Sequence, residues 1–101
     1  LEAEGIELEV IDPRSIYPLD VDLIIESTKK TGRLIVVHEA PVFGGIGAEI
    51  TAQVCEANVD KLRAPPLRLG APHSPVPFAP VLESAYFPSS ESIIKAVKSI
   101  L

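Results

Sequence analysis

Hydrophobic and polar positions alternate at the start of this chain and then change period several times. Ile6, Leu8 and Val10 alternate with Glu7 and Glu9, the period-two pattern of a half-buried strand. Proline cannot donate to a strand ladder, so this element is expected to end near Asp12-Pro13. Next, Pro18 and Asp20 set up a helix with Asp20 as its cap and Asp22 in the first turn, where the helix dipole favours an anion. Leu23, Ile24 and Ser27 are expected on one face, Lys29 and Lys30 at the C-terminal end, and Gly32 as the C-cap.

The run Leu34-Ile35-Val36-Val37 is apolar without alternation, as in a central strand covered on both faces. A glycine-rich stretch then leads into a second helix with Ile46, Ile50 and Val54 at spacing four. Ala57 and Leu62 extend its pattern and Pro65-Pro66 stops it. Leu67-Arg68-Leu69 reads as a short third strand. The five prolines Pro72, Pro75, Pro77, Pro80 and Pro88 make the following segment stiff and extended, with Val81-Leu82 and Tyr86-Phe87 as a short edge strand. Ser89 or Ser90 caps a last helix carrying Ile93, Val97, Ile100 and Leu101 on one face. Strands alternating with helices imply right-handed crossovers. The expected fold is α/β: a three-layer α/β/α arrangement, mostly parallel, of about five strands with helices on both faces.

Composition narrows the function. The 101 residues make one domain, and 47% apolar residues suffice for a core. A net charge of -5, with basic residues scattered, argues against a nucleic-acid or anionic-membrane partner. No run approaches the ~18 apolar residues of a membrane span, and no basic region opens a signal peptide. The single cysteine, Cys55, excludes an internal disulfide and reads as a buried small apolar residue. The absence of any methionine suggests a piece of a longer polypeptide.

Three features bear on chemistry. Gly44-Gly45-Ile46-Gly47 precedes a helix, where glycines either cradle a phosphate or permit a tight, closely packed turn. The spacing is neither that of a dinucleotide fingerprint nor that of a P-loop, and Glu49 places a carboxylate where a phosphate would sit. A packing or interface turn is the stronger reading, with glycine required at Gly45 or Gly47 by close approach or a left-handed backbone. His38-Glu39 could serve acid–base chemistry, but neighbours on a strand point to opposite faces, which opposes a dyad. His73 reads as a solvated loop residue; two imidazoles without a carboxylate cluster complete no metal site. No Gly-x-Ser-x-Gly elbow supports a hydrolase.

The residues are also arranged in a familiar order. Glu9-Val10-Ile11-Asp12 with Arg14-Ser15-Ile16 and Pro18-Leu19-Asp20 resembles the opening of the transketolase C-terminal domain. Lys30-Thr31-Gly32-Arg33-Leu34, Val37-His38-Glu39-Ala40 and Gly44-Gly45-Ile46-Gly47-Ala48-Glu49-Ile50 resemble its next block. Ala64-Pro65 with Leu67-Arg68, then Pro75-Val76-Pro77, resembles the third. The likeness spans 1–101 and is greatest to the beta subunit of the first component of 2-oxoacid dehydrogenase complexes. His38-Glu39-Ala40-Pro41 leans toward the branched-chain type, with pyruvate and acetoin types close behind.

The resemblance implies a scaffold without catalytic residues of its own. Thiamine diphosphate and magnesium would be bound by other domains, and none by this one. The partners it implies are an alpha subunit, a second beta subunit and the peripheral subunit-binding domain of a dihydrolipoyl acyltransferase. It makes His38, Glu39, Gly44, Gly45, Gly47, Glu49, Arg63 and Leu101 candidates for subunit-interface or docking contacts, with Leu101 near the end of the beta chain. Arg63 stands where relatives carry an acidic or neutral residue, and a cation there opposes a basic docking domain. Pro13, Pro66 and His73 also depart from the family pattern. The implied compartment is the bacterial cytoplasm, or else the mitochondrial matrix. Rival readings are the C-terminal domain of a single-chain transketolase or deoxyxylulose-phosphate synthase, and a free-standing small-ligand module.

Overall fold

A computed structural model describes residues 1–101. After a short 3-10 turn at Glu2–Glu4, the elements are α1 (Val21–Thr31), β1 (Ile35–Pro41), α2 (Ile46–Asn58), β2 (Leu67–Ala71), α3 (Pro80–Tyr86) and α4 (Ser90–Ser99). The fold is α/β. β1 and β2 pair in parallel, with Ile35 opposite Leu67 and Val37 opposite Leu69, and an irregularity separates Val37 from Pro41.

Local chemistry accounts for the helix ends. The Leu23 amide donates to the Asp20 carboxylate at 3.2 Å, and Gly32, at φ 73°, ends α1 in the left-handed conformation that glycine adopts without strain. Ser89 and Ser92 form a reciprocal capping box at the start of α4.

One layer of the core joins α1 and α2 to the sheet. Ile24, Ile50 and Val54 are buried together, with Leu34, Val36, Ile46 and Leu62 packed around them. Burying such a side chain contributes about 1.5–3 kcal/mol. Asn58, fully buried, donates from Nδ2 to the Ile25 carbonyl at 2.8 Å and fastens the end of α2 to α1. On the opposite face, Ile35 and Val37 border a cavity of about 520 Å³ with Ile93 and Val97 of α4. Helices therefore flank both faces.

Several expected elements differ. The sheet has two strands, not about five. Residues 6–11 border the same cavity as β1 but exchange no backbone hydrogen bonds with it. Side chains hold this segment instead: Ile11 packs against the core and Lys30 donates to Glu9 at 2.8 Å, while Lys98 donates to Glu4, in the turn just before it, at 2.9 Å. The expected edge strand at 81–87 is mostly helix. Pro80 occupies the first helical turn of α3, where its missing amide costs nothing, and only Phe87 beyond it is extended.

The buried face of α1 runs through Ile24 and Thr28, leaving Leu23 half exposed. α2 ends at Asn58, well before Pro65, so Leu62 reaches the core from the turn that follows. Val37 is 42% exposed, and β1 is consequently not covered fully on both faces.

Candidate functional site

The glycine loop turns the chain from the carboxyl end of β1 into α2. Gly44 has φ 71°, so the left-handed position falls there and at neither Gly45 nor Gly47. The Gly45 amide donates to the Val42 carbonyl at 3.4 Å, and the Ala48 amide to the Gly45 carbonyl at 3.1 Å. The loop is tied to β2 on its other side. The Val42 amide donates to the Ala71 carbonyl at 3.0 Å, and Arg68 Nη1 donates to the Val42 carbonyl at 3.0 Å.

Gly45 and Gly47 make room for a side chain. The imidazole of His38 occupies a socket whose walls are Gly45, Gly47 and Gly70. A Cβ at Gly45 would lie 2.8 Å from His38 Cε1 and would collide with the Pro41 carbonyl. One at Gly47 would lie 2.8 Å from His38 Nε2, and one at Gly70 would lie 2.8 Å from Cε1 and 2.6 Å from the Ala40 carbonyl. All three are tighter than real Cβ contacts: the ring excludes a side chain at Gly47, and the ring together with a backbone carbonyl does so at Gly45 and Gly70. From the sequence Gly70 reads as the turn glycine after Leu67-Arg68-Leu69, whereas the structure places it inside β2 and against the ring.

His38 Nδ1 lies 2.8 Å from the Ala40 carbonyl oxygen. A carbonyl only accepts, so Nδ1 is the donor in this contact. Nε2 is buried without a hydrogen-bond partner. Glu39, next along β1, is exposed. The two side chains diverge, and no dyad forms.

Glu49 lies exposed in the first turn of α2 and accepts a hydrogen bond from Gln53 Nε2 at 2.9 Å. His73 stacks on Phe43 with ring centroids 4.9 Å apart and planes inclined by 12°. Cys55 is half-buried on α2.

The structure splits the candidate residues between two poles. His38, Glu39, Gly44, Gly45, Gly47 and Glu49 surround the corner at the carboxyl end of β1. Arg63 and Leu101 lie toward the other end of the sheet. The Arg63 amide donates to the Gly32 carbonyl at 2.7 Å, its stem covers Gly32, and Arg33 Nε donates to the Ile100 carbonyl at 2.6 Å. Leu101 is 63% exposed.

A phosphate seated against Gly45 and Gly47 would need the space that His38 fills, so the corner does not fit a diphosphate. No three His, Cys, Asp or Glu side chains converge as a metal site would require. What the corner offers is a rigid polar turn built around one imidazole.

Comparison with known proteins places this geometry in a lineage. Residues 1–93 match the family described as transketolase, C-terminal domain. The chain belongs to the transketolase C-terminal domain family. It is 46% identical over 101 residues to the beta subunit of acetoin:2,6-dichlorophenolindophenol oxidoreductase of Bacillus subtilis, covering all of this chain and 30% of that protein. It is 47% identical over 100 residues to the pyruvate dehydrogenase E1 component subunit beta of Rickettsia bellii, covering 99% of this chain and 31% of that one.

A mitochondrial pyruvate dehydrogenase E1 component subunit beta, from Caenorhabditis elegans, is 45% identical over 102 residues, with 100% of this chain and 29% of that protein covered. The chain thus spans about a third of the length of these relatives. Transketolase C-terminal domains of this kind occur in bacterial and in mitochondrial proteins, and no helix here is long and apolar enough to cross a membrane.

Proposed function

We propose that this domain serves assembly and docking in the beta subunit of a 2-oxoacid dehydrogenase first component, and does no chemistry itself. The observation that carries the reading is end-to-end similarity to the beta subunits of pyruvate and acetoin enzymes. The closed corner agrees with it: the glycines that might have held a ligand hold His38.

In the whole enzyme an alpha subunit and a second beta subunit would complete a heterotetramer. That assembly would decarboxylate a 2-oxoacid and reductively acylate a lipoyl group on a dihydrolipoyl acyltransferase, whose peripheral subunit-binding domain would dock on the beta subunit. Thiamine diphosphate and magnesium would supply the decarboxylation chemistry from other domains, and the residues here contribute no ligand to them. The names of the relatives favour pyruvate or acetoin as the substrate class over the branched-chain 2-oxoacids, and a beta subunit over a single-chain transketolase or deoxyxylulose-phosphate synthase.

His38, Glu39, Gly44, Gly45, Gly47 and Glu49 would form the subunit-facing corner, with Arg63 and Leu101 at a separate contact. Reconstitution tests this. A beta subunit lacking residues 1–101 should fail to form a heterotetramer with alpha; normal assembly and overall activity from the truncated subunit would refute the assignment.

A further inference from the structure

A groove of about 900 Å³ opens at the carboxyl ends of β1 and β2, between the loops that follow them and the junction of α3 with α4. Aromatic rings dominate it. The Phe43–His73 stack forms one wall, and Phe43 is 74% exposed, so a flat ring surface is presented to solvent. Phe87 forms the other, backed edge to face by the buried Tyr86 with centroids 5.1 Å apart. The Tyr86 hydroxyl donates to the Ser74 carbonyl at 2.7 Å, which locks that wall to the proline-rich loop. Surfaces fixed this way lose little entropy when something binds to them.

Charge in the groove runs against the rest of the molecule. The chain carries 14 acidic and 9 basic residues, yet the lining includes Arg68 and no Asp or Glu. Arg68 is exposed, and its hydrogen bond to Val42 uses one of its five N–H donors. It takes part in no ion pair with a carboxylate of this chain.

We propose that this groove receives an extended, acidic peptide segment of a partner protein. Its proline or aromatic side chains would lie on the Phe43–His73 stack and on Phe87, and a carboxylate would pair with Arg68. Aromatic-lined grooves recognise proline-rich extended chains because those chains are already ordered before binding. A nucleotide fits less well, because His38 fills the glycine faces against which its phosphates would have to sit.

The test uses the full-length protein that carries this chain and a fluorescein-labelled peptide, Glu-Pro-Phe-Glu-Pro-Tyr-Glu, followed by fluorescence anisotropy. Saturable binding is expected, weakened at least tenfold by Arg68→Glu and by Phe43→Ala and unchanged by Lys95→Glu, a cation on α4 outside the groove. Phe43→Ala removes an exposed side chain that makes no hydrogen bond, so it remains informative if Arg68→Glu disturbs the loop. The proposal is overturned if binding does not saturate, if a peptide with Lys in place of Glu binds as tightly, or if Lys95→Glu weakens binding as much. Displacement of the peptide by ATP would also overturn it, by identifying a nucleotide site. Subunit assembly, measured on the same variants, reports separately on the proposed function, because peptide capture does not require a heterotetramer.

Discussion

At the scale of single residues, His38 and Gly47 are a matched pair. The space beside Gly47 is limited by His38 Nε2 at 2.8 Å, His38 Cδ2 at 3.2 Å and Val36 Cγ1 at 3.4 Å, all of them side-chain atoms. Gly47 is also helical, where alanine is intrinsically better than glycine by about 1 kcal/mol. The two effects oppose each other. Gly47→Ala in the native background should be destabilising by about 1–3 kcal/mol, since overpacking a ring held by the Ala40 carbonyl outweighs the gain in helix propensity. In a His38→Ala background the obstruction is gone, and the same substitution should become neutral or stabilising. Urea unfolding of the four proteins in this cycle measures the coupling. Additive effects would mean that the ring moves aside freely.

Gly70 cannot be rescued in this way, because the Ala40 carbonyl also blocks it. The sequence showed that glycine was needed in this corner. It did not show why, since a half-buried imidazole contacting glycines from β2 and α2 is a long-range fact. The opposed directions of His38 and Glu39 were legible, because strand alternation is local.

At the scale of elements, what was legible follows the same division. The start of α1 at Asp20, its end at Gly32, and the start of α4 at Ser89 were written in short-range cap chemistry. The end of α2 was not: Asn58 leaves the apolar period, and its burial against Ile25 makes sense only once α1 lies alongside. The segment 6–11 shows the limit of periodicity. Its alternation is that of a strand, yet the structure attaches it through side chains, to α1 by Glu9–Lys30 and to the core by Ile11, with Glu4–Lys98 tying the preceding turn to α4.

These pairs give the attachment a pH dependence. The hydrogen bond and charge of Lys98 hold the Glu4 carboxyl below its usual range, as those of Lys30, helped by Ser27, do for Glu9. A carboxylate whose folded pKa is depressed stabilises above its unfolded value and loses that contribution as pH falls through the folded value. Lys30 is raised by Glu9, so its contribution is present below the ordinary lysine range and fades as pH climbs through the raised value. The segment should therefore be held most firmly between the carboxylate and lysine ranges and slightly less firmly at acid pH. Because every one of these groups is exposed, high salt should weaken the attachment as well. Hydrogen exchange at residues 6–11 measured across this range tests it. Glu9→Gln with Glu4→Gln should remove most of the dependence, and an unchanged acid response in that double variant would contradict the account.

At the scale of the whole molecule, the balance between core and surface matters most. Only 11 of the 101 residues are buried, while apolar side chains such as Val10, Tyr17, Phe78 and Val81 are 81–97% exposed. A domain of about 100 residues ordinarily buries well over half of its unfolded surface and holds a stability of about 5–15 kcal/mol. Under the proposed assembly role, these exposed apolar groups are contact surfaces. The 101-residue chain alone should consequently unfold with a free energy below about 5 kcal/mol and a shallow dependence on urea. It should bind a hydrophobic dye such as ANS in its native state. Both properties belong to the uncovered surface, so dye binding per domain should fall and the urea midpoint should rise when the same residues are studied inside the full-length protein with the proposed alpha partner. The comparison separates two origins of weakness. If assembly abolishes dye binding, the exposed side chains are interface residues, as an assembly domain requires. If the isolated chain unfolds steeply, with stability near the upper end of the ordinary range and no dye binding, the exposed residues are mere surface and the domain needs no partner to complete it.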